Sequence, residues 1–156
     1  MMFALRDRQF MQHAIELALE AEASNEVPVG AVLVRDDEIL ASAHNLTRTH
    51  NDPSAHAEIQ VLREAGRLAG SPRLTDTTLY VTVEPCVMCV GAIVQARVKR
   101  LVYGAREPRT GAVASAFEIL MSERHNHRVV ITEGVLGDHC LEPLQRFFKQ
   151  RRNRSS

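Results

Sequence analysis

Two short segments hold the residue types that can bind a metal ion and move a proton. They are His56-Ala57-Glu58 and Pro85-Cys86-Val87-Met88-Cys89. Cys86 follows His56 by 30 residues, which leaves room for one helix and one strand to bring the segments together. One imidazole and two thiolates suit Zn²⁺, which takes four ligands in a tetrahedron. Because the sequence offers no obvious fourth ligand nearby, the pattern predicts a catalytic zinc with one open position.

Glu58 is the residue expected to move the proton. Two thiolates formally cancel the charge of the metal, so its bound water is less acidified than on a centre with neutral ligands. A neighbouring carboxylate that accepts the water's proton restores a usable hydroxide and can deliver that proton elsewhere. We therefore interpret Glu58 as the catalytic proton shuttle.

Both segments are expected to open helices. Pro85 suits the first turn of a helix, where its missing N–H costs nothing. Cys86 and Cys89 then lie on one side of that turn, where the helix dipole favours thiolates. Ser54 is expected to cap the helix that carries the first segment.

Two alternative interpretations of the cysteines stay open at this point. Cys140 or His139 would close a structural metal site, although neither has a partner at ligand spacing. Cys140 is otherwise expected to be a small buried hydrophobe, the usual fate of a free cysteine. A Cys-x-x-Cys pair is also typical of thioredoxin-like redox proteins, which the upstream histidine and glutamate disfavour.

The length, charge and cysteine count limit the class of protein. A chain of 156 residues is most simply one domain, residues 1–156, with a real core. Nineteen basic and nineteen acidic residues argue against a strong non-specific nucleic-acid binder. Three cysteines make no disulfide framework and fit a reducing compartment. With no signal peptide and no run of ~20 apolar residues, we expect a cytoplasmic protein that does not enter a membrane.

Hydrophobic periodicity predicts alternating helices and strands. The predicted elements are a helix at 7–23, strands at 27–34 and 38–43, a helix from His56 to about Gly70, a strand at 79–83, the cysteine helix to about Ala96, strands at 98–104 and 129–132, and a basic C-terminal helix at about 138–152. Strand–helix alternation after the first hairpin predicts an α/β sheet with helices on both faces.

The C-terminal residues 146–154 are basic, include two phenylalanines and contain no acid. In the simpler interpretation this is a solvated helix end whose rings pack inward and whose cations complement the dipole. In the functional interpretation it is a phosphate-contacting patch, with Phe147 stacking on an unpaired base and Arg151 among the contacting cations. The sequence does not choose between them.

The arrangement H-x-E followed by P-C-x-x-C resembles that of the zinc nucleobase deaminases. Flanking segments extend the resemblance over nearly the whole chain and favour the family of bacterial tRNA-specific adenosine deaminases. These segments are 26–32, His44-Asn45, 52–58, 78–86, 103–106, Thr110-Gly111, 126–129 and Glu133-Gly134.

The resemblance implies a fold and an activity. The implied fold is the cytidine-deaminase-like one, with three layers around a central five-stranded mixed sheet. The implied reaction is the hydrolytic deamination of adenosine to inosine at the wobble position of a tRNA anticodon. In it, a zinc-bound hydroxide attacks C6 of the base while Glu58 passes a proton to the ring nitrogen. The implied partners are the anticodon stem-loop and a second copy of the chain, with the cysteine helix near the dimer interface.

The same resemblance implies several substrate-binding residues. Asn45 would hydrogen-bond the nucleoside, for which an amide can both donate and accept; on sequence alone it is equally a turn residue. Val27 and Ala57 would line the pocket. Glu107 stands where the family usually has Asp, which keeps the charge but lengthens the side chain.

Two rival functions stay open. A deaminase of a free base or nucleoside, such as guanine or cytosine, would use the same zinc chemistry. A non-catalytic RNA-binding protein would use zinc structurally. The basic tail and the flanking matches favour the tRNA substrate.

Overall fold

The fold comes from a computed structural model, which describes residues 3–155. Its elements are α1 (Leu5–Ala23), β1 (Gly30–Arg35), β2 (Glu38–His44), α2 (Ala57–Ala69), β3 (Thr78–Val83), α3 (Val87–Gln95), β4 (Arg100–Ala105), β5 (Val130–Glu133) and α4 (Gly137–Ser155). Each predicted helix and strand is present, with its ends shifted by a few residues. None of the helices within residues 3–155 combines the length and hydropathy that a membrane crossing requires.

The five strands form one mixed sheet, as predicted, and their order in it is β2-β1-β3-β4-β5. β1 is antiparallel to both β2 and β3, whereas β3, β4 and β5 are parallel. The carboxyl ends of β3 and β4 therefore reach the same edge of the sheet. Ligands of α/β proteins bind outside such carboxyl ends, and the Cys-x-x-Cys segment directly follows β3.

Alternating strand residues divide the core into two halves, which makes the fold three-layered. On one face, Leu79 and Val81 of β3 belong to a cluster with residues of α2 and α3. On the other face, Tyr80 of the same strand belongs to a cluster with residues of α1 and with Cys140 of α4. The prediction of helices on both faces is confirmed.

A partly buried ion pair ties α1 to the other end of the sheet, where β3 and β4 begin. Arg100 donates from Nη1 and Nη2 to the two oxygens of Asp7 at 2.8 and 2.7 Å. The Tyr80 hydroxyl donates to Asp7 Oδ1 at 2.7 Å. The Arg100 hydrogen bond, assisted by Tyr80 and opposed by burial, holds the pKa of Asp7 below its usual value.

Candidate active site

The two predicted metal-binding segments meet where α2 and α3 begin. His56 and Cys86 are the N-cap residues of α2 and α3, and Cys89 lies buried in the first turn of α3. His56 Nδ1 is 3.6 Å from Cys86 Sγ and 3.5 Å from Cys89 Sγ. The ligand atoms of these three residues all lie within 4.8 Å of one another.

The predicted cap of α2 was wrong. Ser54 donates from its backbone N–H and its hydroxyl to Asp52 Oδ1, at 2.8 and 2.7 Å, and so closes a turn before the helix. The helix then begins at Ala57, with His56 in extended conformation at the N-cap. Because the turn ends before His56, the imidazole stands at the helix end rather than inside it.

The donor set fits zinc at an open site. One imidazole nitrogen and two sulfurs are ligands that zinc prefers. Among the His, Cys, Asp and Glu side chains of residues 3–155, these three form the group whose ligand atoms lie close enough together to hold one metal ion. The group has no fourth member. Cys140 lies in the second core cluster, where burial raises the pKa of its thiol to about 12. Neither Cys140 nor His139 belongs to the group of three, so the alternative of a structural site closed by either residue is wrong.

A hydrogen bond between the two cysteines shifts their pKa values in opposite directions. The hydrogen bond with Cys89 lowers the pKa of Cys86 to about 4, with help from His56 and against the effect of burial. The same bond, together with burial, holds the pKa of Cys89 far above its usual value. The hydrogen bond with Cys86 also raises the pKa of His56, against the effect of burial. A bound metal cation would displace the proton on Cys89, as thiolate coordination requires.

Glu58 lies in the first turn of α2, two residues after His56, and only 4% of it is exposed. Burial raises the pKa of this carboxyl, and the charge of Cys86 acts in the same direction. Its own backbone N–H, His56 and a hydrogen bond with Cys89 partly offset that rise. A carboxyl with a raised pKa beside candidate metal ligands is suited to take up and release a proton.

These residues open onto a pocket of about 260 Å³. Its lining residues are Val27, Val29, Asn45, Thr47, His56, Ala57, Glu58, Val83, Glu84, Cys86, Glu107, Thr110, Leu144 and Phe148. The structure thus brings Val27, Asn45, Ala57 and Glu107, the residues assigned to the substrate by resemblance, to the same pocket as the metal-binding group.

One wall of the pocket is the turn after β2, which the buried Glu26 holds in place. Its carboxylate accepts hydrogen bonds from Arg48 N at 3.0 Å, from Thr49 N at 2.7 Å and from Thr49 Oγ1 at 2.6 Å. Burial alone would raise the pKa of Glu26, but these donors hold it below the usual value. Asn45 at the start of this turn is 6% exposed, and its Oδ1 accepts from Thr47 N at 3.3 Å.

The opposite wall is the loop of residues 107–115, which we call the 107–115 loop. It carries the pocket residues Glu107 and Thr110. Glu107 Oε1 accepts from Arg109 N at 2.8 Å, so its longer side chain folds back on its own loop. The loop is held by Glu84, whose carboxylate has a lowered pKa because hydrogen bonds from Ser115 and backbone amides outweigh its burial.

The last wall comes from α4, but not through the residues predicted from the sequence. Phe147 is 4% exposed and does not line the pocket, whereas its neighbour Phe148 is 43% exposed and does. The guanidinium of Arg151 lies 4.8 Å from the centre of the Phe147 ring, and both residues border a separate cleft against the end of α1. Thr47, Thr110, Leu144 and Phe148 are pocket residues that the sequence analysis did not select.

Comparison with known proteins shows the family to which the chain belongs. The profile of the MafB19-like deaminase family matches residues 5–152. A tRNA-specific adenosine deaminase of Haemophilus influenzae is 47% identical over 94% of this chain and 85% of that protein. The chain belongs to the tRNA-specific adenosine deaminase family. The family expected from the sequence is confirmed.

Solved structures extend the agreement within the family to the fold. A structure from a study of A-to-I editing by tRNA:A34 deaminases at the wobble position has a TM-score of 0.85, 43% identity, and coverage of 87% of this chain and 99% of that one. The predicted cytidine-deaminase-like fold is confirmed. A guanine deaminase from Bacillus subtilis matches less closely, with a TM-score of 0.62 and 34% identity over 90% of this chain and 92% of that one.

Proposed function

We propose that this member of the tRNA-specific adenosine deaminase family converts adenosine to inosine at the wobble position of a tRNA anticodon. The reaction consumes one water and releases one ammonia. The observation that carries the proposal is the convergence of His56, Cys86 and Cys89 beside the buried Glu58 at the end of a pocket. The zinc nucleobase deaminases use this set of groups.

His56, Cys86 and Cys89 would hold one zinc ion per chain. Bound zinc supplies Lewis acidity, which lowers the pKa of a coordinated water. Cys86 and Cys89 bring two negative charges to the centre, so a proton acceptor is needed close by. Glu58, buried beside all three ligands, meets that need.

Glu58 is the proton shuttle in this proposal. Its carboxylate takes the proton of the attacking water and delivers it to the ring nitrogen next to C6. The carboxylate formed in this way then takes the second water proton, from the hydroxyl now bonded to C6, and passes it to the amino group, which departs as ammonia. A carboxyl whose pKa burial has raised can serve in both directions.

The pocket residues would select and orient the base. The amide of Asn45 can donate to and accept from a nucleoside edge. Val27 and Ala57 present small apolar surfaces, which suit the face of a base rather than a charged group. Glu107 would act near flanking nucleotides, with its carboxylate already bonded to Arg109 N.

Phe148, rather than Phe147, is the ring placed to stack on a base. Its side chain lines the pocket and is 43% exposed, whereas Phe147 packs inside and beneath Arg151. Base–aromatic stacking contributes about 1–3 kcal/mol per base. Arg151 would contact phosphate, as one of the basic residues of the end of α4.

A tRNA anticodon stem-loop is the partner that this geometry favours. A base inside a duplex hides its C6 in the stack, whereas a loop base can be turned outward at small cost. Residues of the turn after β2, of the 107–115 loop and of α4 line the pocket, and these elements would contact flanking nucleotides. For such a substrate we propose a cytoplasmic location, where a reducing environment keeps the cysteines as thiols.

We also propose a homodimer formed through the exposed face of α3. Val87 and Met88 on that face are 46% and 38% exposed, and a Cβ added at Gly91 would meet no atom within 4 Å. Gly91→Arg should therefore be tolerated in the single chain but block association of two copies. Sedimentation should show a dimer for the wild type and a monomer for this variant. A dimer in both would place the interface elsewhere.

The test of the function compares catalytic efficiencies of the zinc-loaded protein. The substrates are an anticodon stem-loop with wobble adenosine, and free adenosine, cytidine and guanine. We expect inosine in the stem-loop and far lower efficiency on every free compound, because remote contacts help to position C6. A free compound that matches the stem-loop would favour a free-base or nucleoside deaminase. Bound zinc without deamination of any substrate would favour a non-catalytic RNA-binding protein.

A further inference from the structure

Glu84 gathers five hydrogen-bond donors from the 107–115 loop. Its side chain is buried, with 3% of the residue exposed, at the point where β3 ends. The donors are Glu107 N at 3.1 Å and the Ser115 hydroxyl to Oε1, and Val113 N at 3.0 Å, Ala114 N at 2.8 Å and Ser115 N at 3.0 Å to Oε2. A carboxylate surrounded by backbone N–H groups fixes the path of the chain that supplies them.

The short segment that follows β3 positions both the 107–115 loop, which is one wall of the pocket, and Cys86, a proposed metal ligand. Glu84 precedes Cys86 by two residues, and Pro85 between them accepts a hydrogen bond from Ala112 N at 2.8 Å. The loop held in this way presents Glu107 and Thr110 to the pocket. Their distance from the metal-binding group is thus set through one short segment of backbone.

Gly111 lets the loop close around the carboxylate. A Cβ added at residue 111 would overlap the Glu84 carboxylate and would lie 2.6 Å from Glu107 O. Gly111 N itself donates to Glu107 O at 2.9 Å. An alanine at this position would push directly against the contact between the loop and Glu84.

We propose that Glu84 is a positioning residue for the deamination, which holds the 107–115 loop where it grips the nucleotides around the target base. The inference rests on the proposed function. A carboxylate suits the position, because all five of the groups that hydrogen-bond to it are donors. A glutamine would turn its NH₂ toward backbone N–H groups and leave some of them without an acceptor.

The position of the loop determines which kinetic parameter Glu84 controls. Glu107 and Thr110 border the pocket beside the metal-binding group, not between its ligands. A contact that only holds a flanking nucleotide, unlike one that positions C6, stabilises the ground state and the transition state alike. Its removal raises KM and leaves kcat nearly unchanged. Replacement of Glu58, which acts on the reacting atoms, should instead lower kcat.

The experiment measures kcat and KM of zinc-loaded Glu84→Gln on the anticodon stem-loop. We expect KM to rise about tenfold and kcat to stay within about threefold of the wild type. Hydrogen exchange of the Val113, Ala114 and Ser115 amides should become faster, a readout that does not depend on activity. The matched control is Asp7→Asn, which alters another buried, hydrogen-bonded carboxylate at the far end of the sheet and should leave KM unchanged.

Gly111→Ala disturbs the same contact between Glu84 and the 107–115 loop, but from the side of the loop. It should raise KM in the same direction as Glu84→Gln, and the double variant should show less than the product of the two effects because both act on one contact. Ser115→Ala removes the hydroxyl but keeps the backbone donors, so its effect should be smaller.

An unchanged KM in a folded, zinc-loaded Glu84→Gln would overturn the inference, as would an equal rise of KM in Asp7→Asn. Unchanged exchange of the three loop amides would overturn it as well. If the wild-type protein does not deaminate the stem-loop, that result would instead contradict the proposed function. In that case, the exchange measurement would still test whether Glu84 holds the loop.

Discussion

Two clefts lie at opposite ends of β3, and the larger one is not the one equipped for chemistry. The cleft at the start of the strand has a volume of about 640 Å³ and is lined by Asp7, Tyr80 and Arg100 among others. The cleft at the end of the strand measures about 260 Å³ and holds the metal-binding group and Glu58. The volume of a cleft therefore does not indicate which end of the fold carries the proposed function. The pKa shifts of the buried carboxyls and their hydrogen-bond partners do.

A buried carboxylate marks each cleft, and the two have opposite surroundings. Asp7 is bonded on both oxygens by Arg100 and on one by Tyr80, so its pKa is lowered and its charge is compensated in place. Glu58 has no such cationic clamp, and burial raises its pKa. Paired charges stabilise a structure, whereas a carboxyl with a raised pKa beside metal ligands can exchange a proton.

Two further buried acids at this end resemble Asp7 in that hydrogen-bond donors compensate their charge; Glu84 lines the smaller cleft and Glu26 lies behind one of its walls. Glu26 and Glu84 are each surrounded by donors from one wall of the pocket, and both have lowered pKa values. Of the three buried acids at this end, Glu58 alone has a raised one. Two carboxylates hold walls of the pocket, and the third is the proposed proton shuttle.

The largest effect is expected for the metal-binding group. Cys86→Ala removes one of three ligands, so the protein should lose most of its zinc and all measurable deamination. Elemental analysis of the purified protein measures the metal content directly. The matched control is Cys140→Ala, which removes the thiol outside the group and should retain about one zinc per chain. Full zinc retention in Cys86→Ala would remove the ligand assignment.

A smaller effect, on stability, is expected at the other cleft. Asp7→Asn leaves Arg100 without its bidentate partner and should lower the free energy of unfolding by about 2–3 kcal/mol at neutral pH. Chemical denaturation measures the difference. Glu64→Gln, which breaks the exposed pair with Arg67, should cause no measurable change.

The same substitution should show a defined pH dependence. The pKa of Asp7 is lower in the folded state than its ordinary value of 3.8. Its contribution to stability is therefore complete above that value and disappears as the pH falls through the lower folded-state pKa. The stability difference between wild type and Asp7→Asn should shrink below about pH 4. A difference that stays constant down to acid pH would contradict the assigned ion pair.

The smallest effect concerns the basic end of α4. Replacement of Lys149, Arg151 and Arg152 with Ala should weaken stem-loop binding and flatten its salt dependence by up to about one log–log unit for each cation that no longer meets a phosphate. Replacement of Arg6, which lines the larger cleft, together with Arg8 of α1 is the control and should leave the slope unchanged. An unchanged slope in the α4 variant would mean that this helix end is only a solvated terminus.

Local patterns were enough to predict the metal-binding group. His56, Cys86 and Cys89 stand in two short segments that are separated by one helix and one strand. Hydrophobic patterns predict both of these elements correctly, and the fold through them brings the segments together. The predicted substrate residues Asn45 and Val27 reach the pocket because they flank the neighbouring strands β2 and β1.

Long-range and angular features could not be predicted in the same way. The Asp7–Arg100 pair joins residues 93 apart, and no local pattern indicates that they meet. Phe147 and Phe148 differ by one residue, which turns a helical side chain by about 100°. The sequence does not show how α4 is rotated about its own axis. It therefore could not show that Phe147 is buried while Phe148 lines the pocket. Glu84 precedes Pro85 directly, but its partners lie 23 to 31 residues later.

The most direct test of the comparison uses two variants, Glu58→Gln and Asp7→Asn. The single-turnover rate of deamination of the anticodon stem-loop is measured for each, at a temperature where both are folded. Glu58→Gln keeps the size of the side chain but cannot cycle a proton. We expect its rate to fall by at least ~10², with zinc content and RNA binding retained. Asp7→Asn should stay within a few-fold of the wild type. Near-normal turnover by Glu58→Gln would contradict the assignment of the proton shuttle, and a comparable decrease in Asp7→Asn would contradict the separation of the two clefts.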